Sequence, residues 1–331
     1  MIQRRLGATG PLVGAIGLGC MGMSDVYGPS DRAESLATIA RALEHGVNLL
    51  DTGDFYGMGH NEMLIAQALR GRRREDVVIS VKFGAQRGPD GAWLGYDARP
   101  QAVKTALAYS LRRLETDYID IYRPARVDPN VPIEETVGAI AEMVERGYVR
   151  HVGLSEAGAD TLRRASAVHV ICDLQIEYAV VTRGIEARIL PAARELGIGI
   201  TAYGVLSRGL ISGHWNADRA LPANDFRAYS PRFAGENLGR NLQLVQRLAV
   251  LAAERGITPA QLAIAWVLAR GEDIVPLVGA RRVERLEESL AALEVELTAD
   301  DLRAIAEAIP ADAVAGERYA GAQMAMLDSE K

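Results

Sequence analysis

The chain is predicted to fold as a (β/α)8 TIM barrel, and three observations carry that reading. A short apolar β-rich run followed by an amphipathic helix recurs eight times along the sequence. The runs are continuously apolar rather than alternating, which is the pattern of parallel strands covered by helices. The length, 331 residues, is ample for one such barrel with insertions. An open doubly wound sheet shares the same alternation; the count of eight favours closure.

The first strand is read at 15–20 (AIGLGC), the second at 47–51 (VNLLD) and the third at 77–83 (VVISVKF). The fourth is 118–123 (YIDIYR) and the fifth 149–154 (VRHVGL). The last three are 170–175 (VICDLQ), 198–203 (IGITAY) and 274–278 (IVPLV). Helical periodicity lies between them at 31–45, 61–70, 99–114, 132–146, 159–168, 186–196, 258–270 and 281–293. Asp31 is placed to cap the first helix, and Asn61 and Glu62 open the second. Gly46, Gly147 and Gly197 stand where a left-handed C-cap is wanted. Three segments exceed the minimal barrel. Residues 2–14 read as a hairpin turning at Ala8-Thr9-Gly10. Residues 204–256 form a long insertion after strand seven that ends in a helix, and 296–331 form a final helix and tail. No linker divides the chain, so 1–331 is read as one domain.

Lys plus Arg number 37 and Asp plus Glu 43, a formal charge of −6. That balance argues against a nucleic-acid partner, which needs a basic field to meet phosphates. Apolar residues are 49% and charged residues 24%, the mix of a globular domain with a large core. Two cysteines, Cys20 and Cys172, exclude a disulfide scaffold and suit a reducing, cytoplasmic setting. The N-terminus MIQRRLGATG lacks the apolar run of a secretory signal. No stretch is long and apolar enough to span a membrane. The five histidines include no pair with metal-ligand spacing, so no metal is expected.

Gly17-Leu18-Gly19-Cys20-Met21-Gly22 matches the G-x-G-x-x-G dinucleotide fingerprint after a strand. That motif needs its glycines to open a helix facing the pyrophosphate. Here loop-like residues run to Ser30, so the match reads as a glycine-rich barrel loop. A more telling set sits at the strand ends, where barrels place their chemistry. Only three basic residues are lysines, and Lys82 lies inside an apolar strand. A buried ammonium needs a carboxylate, and Asp51 on the neighbouring strand is a natural partner. The ammonium in turn is expected to lower the pKa of Tyr56, making it a proton donor and acceptor. The bland alternative is a structural ion pair beneath an unrelated tyrosine.

The run Asp51-Thr52-Gly53-Asp54-Phe55-Tyr56-Gly57 resembles the signature of the aldo-keto reductases. So do Val81-Lys82-Phe83-Gly84, Val152-Gly153-Leu154-Ser155-Glu156-Ala157 and Gln175-Ile176-Glu177-Tyr178. Arg232-Phe233 with Glu236-Asn237 fits too, as does Gly279 to Glu288. The resemblance covers nearly the whole chain, in order. It implies a barrel binding NADP(H) extended across its mouth and reducing aldehydes or ketones reversibly. Carried over by position, Tyr56 would be the general acid, tuned by Lys82 and Asp51. Ser155 and Gln175 would hold the nicotinamide carboxamide, and Tyr203 would stack on the ring; Glu156, where many relatives have Asn, is counted with the cofactor-binding residues. Leu206, Ser207 and Arg208 would line the pyrophosphate. Arg281, Arg282 and Arg285 would reach the 2′-phosphate, since guanidinium suits phosphate geometry, and Gly279 before them is counted with the cofactor-binding residues. Glu288 and Ser289 would contact adenine. Tyr203 as a core aromatic, and the arginines as a solvated helix face, are the plainer alternatives.

Two departures stand out. Where the related branch reads roughly Tyr-Tyr-Gln-His-Arg-Val-Asp, this chain has Tyr122-Arg123-Pro124-Ala125-Arg126-Val127-Asp128. Ala125 thus replaces the histidine that helps polarise the substrate carbonyl. By strand alternation Arg123 shares the face of position 125. It is expected to point inward near Asp51 and Lys82, with Asp51 serving both cations, unless Pro124 turns it out to solvent. Gly204 replaces a more usual serine in the pyrophosphate segment, and Val278 and Ala280 replace residues that commonly help hold cofactor.

Other readings are a nucleotide-binding regulatory barrel with little catalysis, and a lyase or aldolase using Lys82 as a Schiff-base amine. The pocket loops are read at 21–29, 84–97, 204–236 and 310–327. Met21, Met23, Tyr27, Trp93, Tyr96 and Trp215 make them apolar and aromatic; together with Arg123 and Ala125 they point to a bulky hydrophobic carbonyl substrate. Oligomeric state, a homo-oligomer included, is left open.

Overall fold

Two short strands, β1 (Gln3–Arg5) and β2 (Leu12–Gly14), form the antiparallel hairpin expected at the N-terminus. Then follow β3 (Gly17–Gly19), β4 (Leu49–Gly53) and β5 (Val78–Phe83), a second hairpin of β6 (Ala85–Arg87) and β7 (Trp93–Tyr96), and β8 (Ile119–Pro124). The series ends with β9 (Val149–Ser155), β10 (Ile171–Glu177), β11 (Gly199–Tyr203) and β12 (Ile274–Gly279). Strands β3, β4, β5, β8, β9, β10, β11 and β12 pair in parallel and close on themselves. The computed structural model of the protein describes residues 1–215, 221–222 and 225–331. Part of the 204–236 pocket loop therefore lies outside the described residues.

The eight connections carry α1 (Arg32–Glu44), α2 (His60–Ala68), α3 (Pro100–Leu114), α4 (Ile133–Glu145), α5 (Ala159–Ser166) and α6 (Ile189–Glu195). After β11 come α7 (Gly235–Glu254) and α8 (Pro259–Leu268), and after β12 come α9 (Val283–Leu290) and α10 (Ala299–Ala308). Asp31 caps α1 as expected, accepting from the Glu34 amide at 2.8 Å. Gly46, Gly147 and Gly197 end their helices at φ of 81°, 79° and 68°. The glycine-rich run 17–22 is a strand and a short turn, and α1 begins only at Arg32. The β6–β7 hairpin lies within what the sequence reads as an open loop; Pro89-Asp90-Gly91 is its turn signal. Among the described residues no helix is long and apolar enough to cross a membrane.

The barrel interior is layered. Its floor is apolar: Leu49, Ile121, Cys172, Val275 and Leu277 pack with Leu6 and Val13, so the N-terminal hairpin plugs the end away from the site. The next layer is ionic. Arg123 is fully buried and donates to Asp173 Oδ2 at 2.9 Å and to Ser80 Oγ at 2.8 Å. Pro124 does not break the alternation, since Lys82 pairs in register with Arg123 and Phe83 with Pro124. The inward direction was therefore legible. The expected shared counterion was not correct: Asp173 on β10, two strands from β8 on the side away from β4, takes Arg123, and Asp51 does not. Gly153 makes this possible. A β-carbon there would lie 2.6 Å from Asp173 Oδ1 and 3.3 Å from the Arg123 guanidinium carbon.

Removing one member of a buried pair strands the other, which typically costs about 3–5 kcal/mol. Arg123→Leu is expected to lose that much in urea unfolding, and Arg123→Leu with Asp173→Leu to recover most of it. Equal losses in the single and double variants would show that the pair is not what holds this layer.

Candidate active site

Above the Arg123 layer the strand ends bring Asp51 and Lys82 together. Asp51 Oδ2 accepts from Lys82 Nζ at 2.5 Å, and both are buried. Its other oxygen accepts from Ser80 Oγ at 3.0 Å and from Gln175 Nε2 at 2.7 Å. Ser80 thus joins the two ionic layers, since its hydroxyl also accepts from Arg123. Burial pulls the Lys82 pKa down and Asp51 pushes back, while Arg123 adds repulsion. An amine bound this tightly to a carboxylate offers no free lone pair, which disfavours the Schiff-base reading.

Tyr56 opens a turn directly after β4, in which Gly57 and Met58 take φ of 56° and 53°. Asn61 at the start of α2 anchors this turn from below. It accepts from Thr52 Oγ1 at 2.7 Å and donates at 2.8 Å to both the Cys20 carbonyl and Ser24 Oγ. Tyr56 is buried, and the Lys82 ammonium stands 5.2 Å from its ring centroid. Its pKa runs opposite to the expectation. Burial pushes it well above 10, the Asp51 charge adds to that, and Arg126 opposes it. The phenol holds its proton throughout the neutral range.

At position 125 the side chain is a buried methyl group, and its amide is bonded to the Phe83 carbonyl at 2.8 Å. Arg123 does not reach the mouth. The guanidinium that does belongs to Arg126, which donates to the Ala125 carbonyl at 2.6 Å and to the Tyr319 hydroxyl at 3.3 Å. Arg123 as a pocket residue is thereby corrected. So is Met23, which is packed into the hydrophobic core. Tyr27 and Tyr96 are half-buried at the mouth, and the Trp93 ring meets Tyr96 edge-on at 4.8 Å.

The C-terminal ends of β9, β10 and β11 hold a dense cluster. Glu156 follows β9 with a left-handed φ of 52°, and Ser207 and Arg208 follow β11 at 49° and 58°. Such conformations cost energy in non-glycine residues and gather at functional sites. Tyr203 donates to Glu156 at 2.6 Å and shares a hydrogen bond with Tyr319 at 2.9 Å. Buried Glu177 accepts from Arg232 at 3.1 Å and Arg318 at 3.4 Å, with Arg208 at 3.8 Å. Gly204 has φ of 68°, and a β-carbon there would come within 3.0 Å of Glu177 Cγ. Its departure from serine is thus the space that Glu177 occupies. Leu206, Ser155 and Gln175 lie in the same region.

Arg318 and Tyr319 come from the tail and were not singled out by the sequence. Arg318 grips Glu156 at 2.9 Å and 3.1 Å, and Ser329 Oγ donates to the same carboxylate at 2.5 Å. Asp328 accepts from the Gly158 amide at 2.8 Å, so the chain end is stitched to β9. Burial alone would raise the Glu156 pKa. Arg318, Arg126 and Ser329 together outweigh it and hold it at about 2.

Around α9 the arginines diverge. Arg281 donates to the carbonyls of Gly28 and Pro29 at 3.1 Å and 2.9 Å. Arg282 is exposed and 3.5 Å from Glu34. Arg285 meets Glu288 at 2.9 Å and also His214. Gly279 is exposed, and Ser289 donates to the Arg285 carbonyl at 2.8 Å.

A match to the profile described as "Aldo/keto reductase family" spans residues 15–310. The chain belongs to that family. It is 43% identical over 318 residues to "Probable aldo-keto reductase 1" of Glycine max, covering 95% of this chain and 91% of that protein. A solved glycerol dehydrogenase from Gluconobacter oxydans superposes with a TM-score of 0.85 at 26% identity, covering 94% and 96% of the two chains. The holo form of an aldo-keto reductase from Bacillus halodurans gives 0.75 at 27%, covering 94% and 97%. As an aldo/keto reductase the chain is an oxidoreductase of small carbonyl compounds.

A carboxyl held near 2 adds stability above its ordinary value of 4.5 and loses it as the pH falls through about 2. Thermal melts of Arg318→Met are expected to show less dependence on pH between 5 and 2 than the wild type. At pH 7 the variant should be less stable by about 3 kcal/mol. A wild-type slope retained in the variant would remove Arg318 as the cause.

Proposed function

We propose that this aldo/keto reductase is an NADP(H)-dependent carbonyl reductase in which Tyr56 is the general acid. The observation that carries the reading is a protonated, buried tyrosine beside a lysine locked to Asp51. When bound, the nicotinamide supplies and recovers the hydride. The chain's own residues handle the proton. Tyr56 Oη donates to the carbonyl oxygen as that oxygen gains charge, and the resulting phenolate is met by Lys82. Asp51 keeps Lys82 cationic against its burial. Reversal makes the phenolate the base for alcohol oxidation.

The residues at the mouth fit an anionic dinucleotide. Guanidinium groups there outnumber the buried carboxylates Glu156 and Glu177, and Arg208 Nη2 is buried with no hydrogen-bond acceptor. Ser155, Gln175 and Tyr203 would hold the nicotinamide end, and Leu206, Ser207 and Arg208 the pyrophosphate. Arg281, Arg282 and Arg285 would meet the 2′-phosphate, with Glu288 and Ser289 at the adenine. Arg282, the most exposed of the three arginines, has the freest guanidinium. Two buried free cysteines accord with a cytoplasmic setting.

NADPH should bind at least tenfold more tightly than NADH. One charge-assisted contact contributes about 1.5–3 kcal/mol, and a tenfold ratio requires about 1.4. Fluorescence titration giving equal affinities would exclude a 2′-phosphate clamp. Tyr56→Phe should retain less than about one tenth of wild-type kcat with NADPH affinity nearly unchanged. A variant that turns over faster than that would mean the proton comes from elsewhere.

A further inference from the structure

Arginines crowd the barrel mouth, and they differ in one respect. Arg232 and Arg208 face Glu177, Arg227 faces Asp225, and Arg318 faces Glu156. Arg126 has, among the described residues, no carboxylate oxygen within 4.0 Å. Its two hydrogen bonds go to neutral oxygens, the Ala125 carbonyl and the Tyr319 phenol. It is half-buried, with its guanidinium 5.7 Å from the Tyr319 ring centroid. A guanidinium has five N–H donors, so three remain to be met. The Glu156 charge acts on it from beyond 4.0 Å but is already paired with Arg318, so an anion of its own would complete this partly desolvated cation.

The place of Arg126 decides which anion. It follows β8, whose neighbour β5 carries Lys82, and the Ala125 amide ties that strand end to the Phe83 carbonyl. Its positive charge reaches both Tyr56 and Lys82. The residues assigned to the cofactor phosphates follow β11 and open α9, on other strands of the barrel. Arg126 therefore stands on the side of the proton donor, where the carbonyl compound must lie. At Ala125 that side carries only a buried methyl group and no hydrogen-bond donor side chain.

Resting on the reductase reading above, we propose that Arg126 binds a carboxylate of the substrate, so that the preferred substrates are aldehydes or ketones bearing a carboxylate. A planar guanidinium matches a carboxylate with two parallel hydrogen bonds. The half-buried Tyr27 and Tyr96 supply the apolar walls for the rest of the molecule. This narrows the hydrophobic carbonyl suggested by the loops to a hydrophobic oxo acid.

The test uses the full chain with NADPH and the three carboxybenzaldehyde isomers, each beside its methyl ester. For at least one isomer kcat/KM should exceed that of its ester by about tenfold or more, and salt should weaken the acid more than the ester. In Arg126→Met the ratio of acid to ester should fall by about thirtyfold, mostly through KM, and Arg126→Lys should restore part of it. Esters turned over as well as every acid by the wild type would overturn the proposal alone and leave the reductase standing. So would an Arg126→Met variant that slows acid and ester equally, which would make Arg126 a support for Tyr319. No turnover of any aldehyde with NADPH or NADH would overturn the reductase reading beneath it.

Discussion

Keeping Lys82 charged inside a protein is the constraint from which the rest of the barrel mouth follows. Burial favours the neutral amine, and Asp51 at 2.5 Å is what opposes it. That carboxylate cannot serve alone, because a buried acceptor with unmet lone pairs is itself costly. Ser80 and Gln175 fill its second oxygen. Ser80 in turn receives Arg123, and Arg123 requires Asp173. Two ion pairs on four strands are thus joined through one hydroxyl. The layer needs a glycine at 153 to fit and an apolar floor below it to stay dry. The N-terminal hairpin, which touches no reacting group, contributes Leu6 and Val13 to that floor.

The tail plays a comparable part on the other side of the mouth. Glu156 ends β9 in a strained left-handed turn and is buried with its charge retained. Arg318, from the opposite end of the chain, makes that charge tolerable. Because Tyr203 donates to Glu156 and shares its hydroxyl with Tyr319, the orientation of Tyr203 is set by the tail as well. Asp328 and Ser329 close this arrangement by bonding the Gly158 amide and the Glu156 carboxylate just after β9. Sequence-distant residues are here as close to the proposed chemistry as those in the strand-end motifs.

The fold was legible because its signals are local. Continuous apolar runs, glycine caps and helical periodicity placed each barrel strand and its helix within three residues of where they lie. That Asp51 and Lys82 meet, with Tyr56 close by, was legible because a lysine in an apolar strand demands a carboxylate. Three things were not. Arg123 was assigned inward by alternation, but β4 and β10 lie equally two strands from β8, and strand periodicity says nothing about which of them supplies the counterion. Arg318 and Tyr319 carry no pattern in a tail that reads as loop; only tertiary contact reveals them. The Tyr56 pKa was misjudged because a nearby ammonium was weighed without the burial and the carboxylate that accompany it.

The departures from the family pattern are also better understood together than singly. The missing histidine at 125 and the missing serine at 204 look like two separate losses. In the folded chain Gly204 gives Glu177 room, and Glu177 is the counterion shared by Arg208, Arg232 and Arg318. With those guanidinium groups committed to carboxylates, the surplus positive charge on the substrate side falls to Arg126, next to the vacated position. The two changes therefore both bear on the charge balance at the mouth: one makes room for a counterion shared by three arginines, and the other leaves a methyl group beside a fourth.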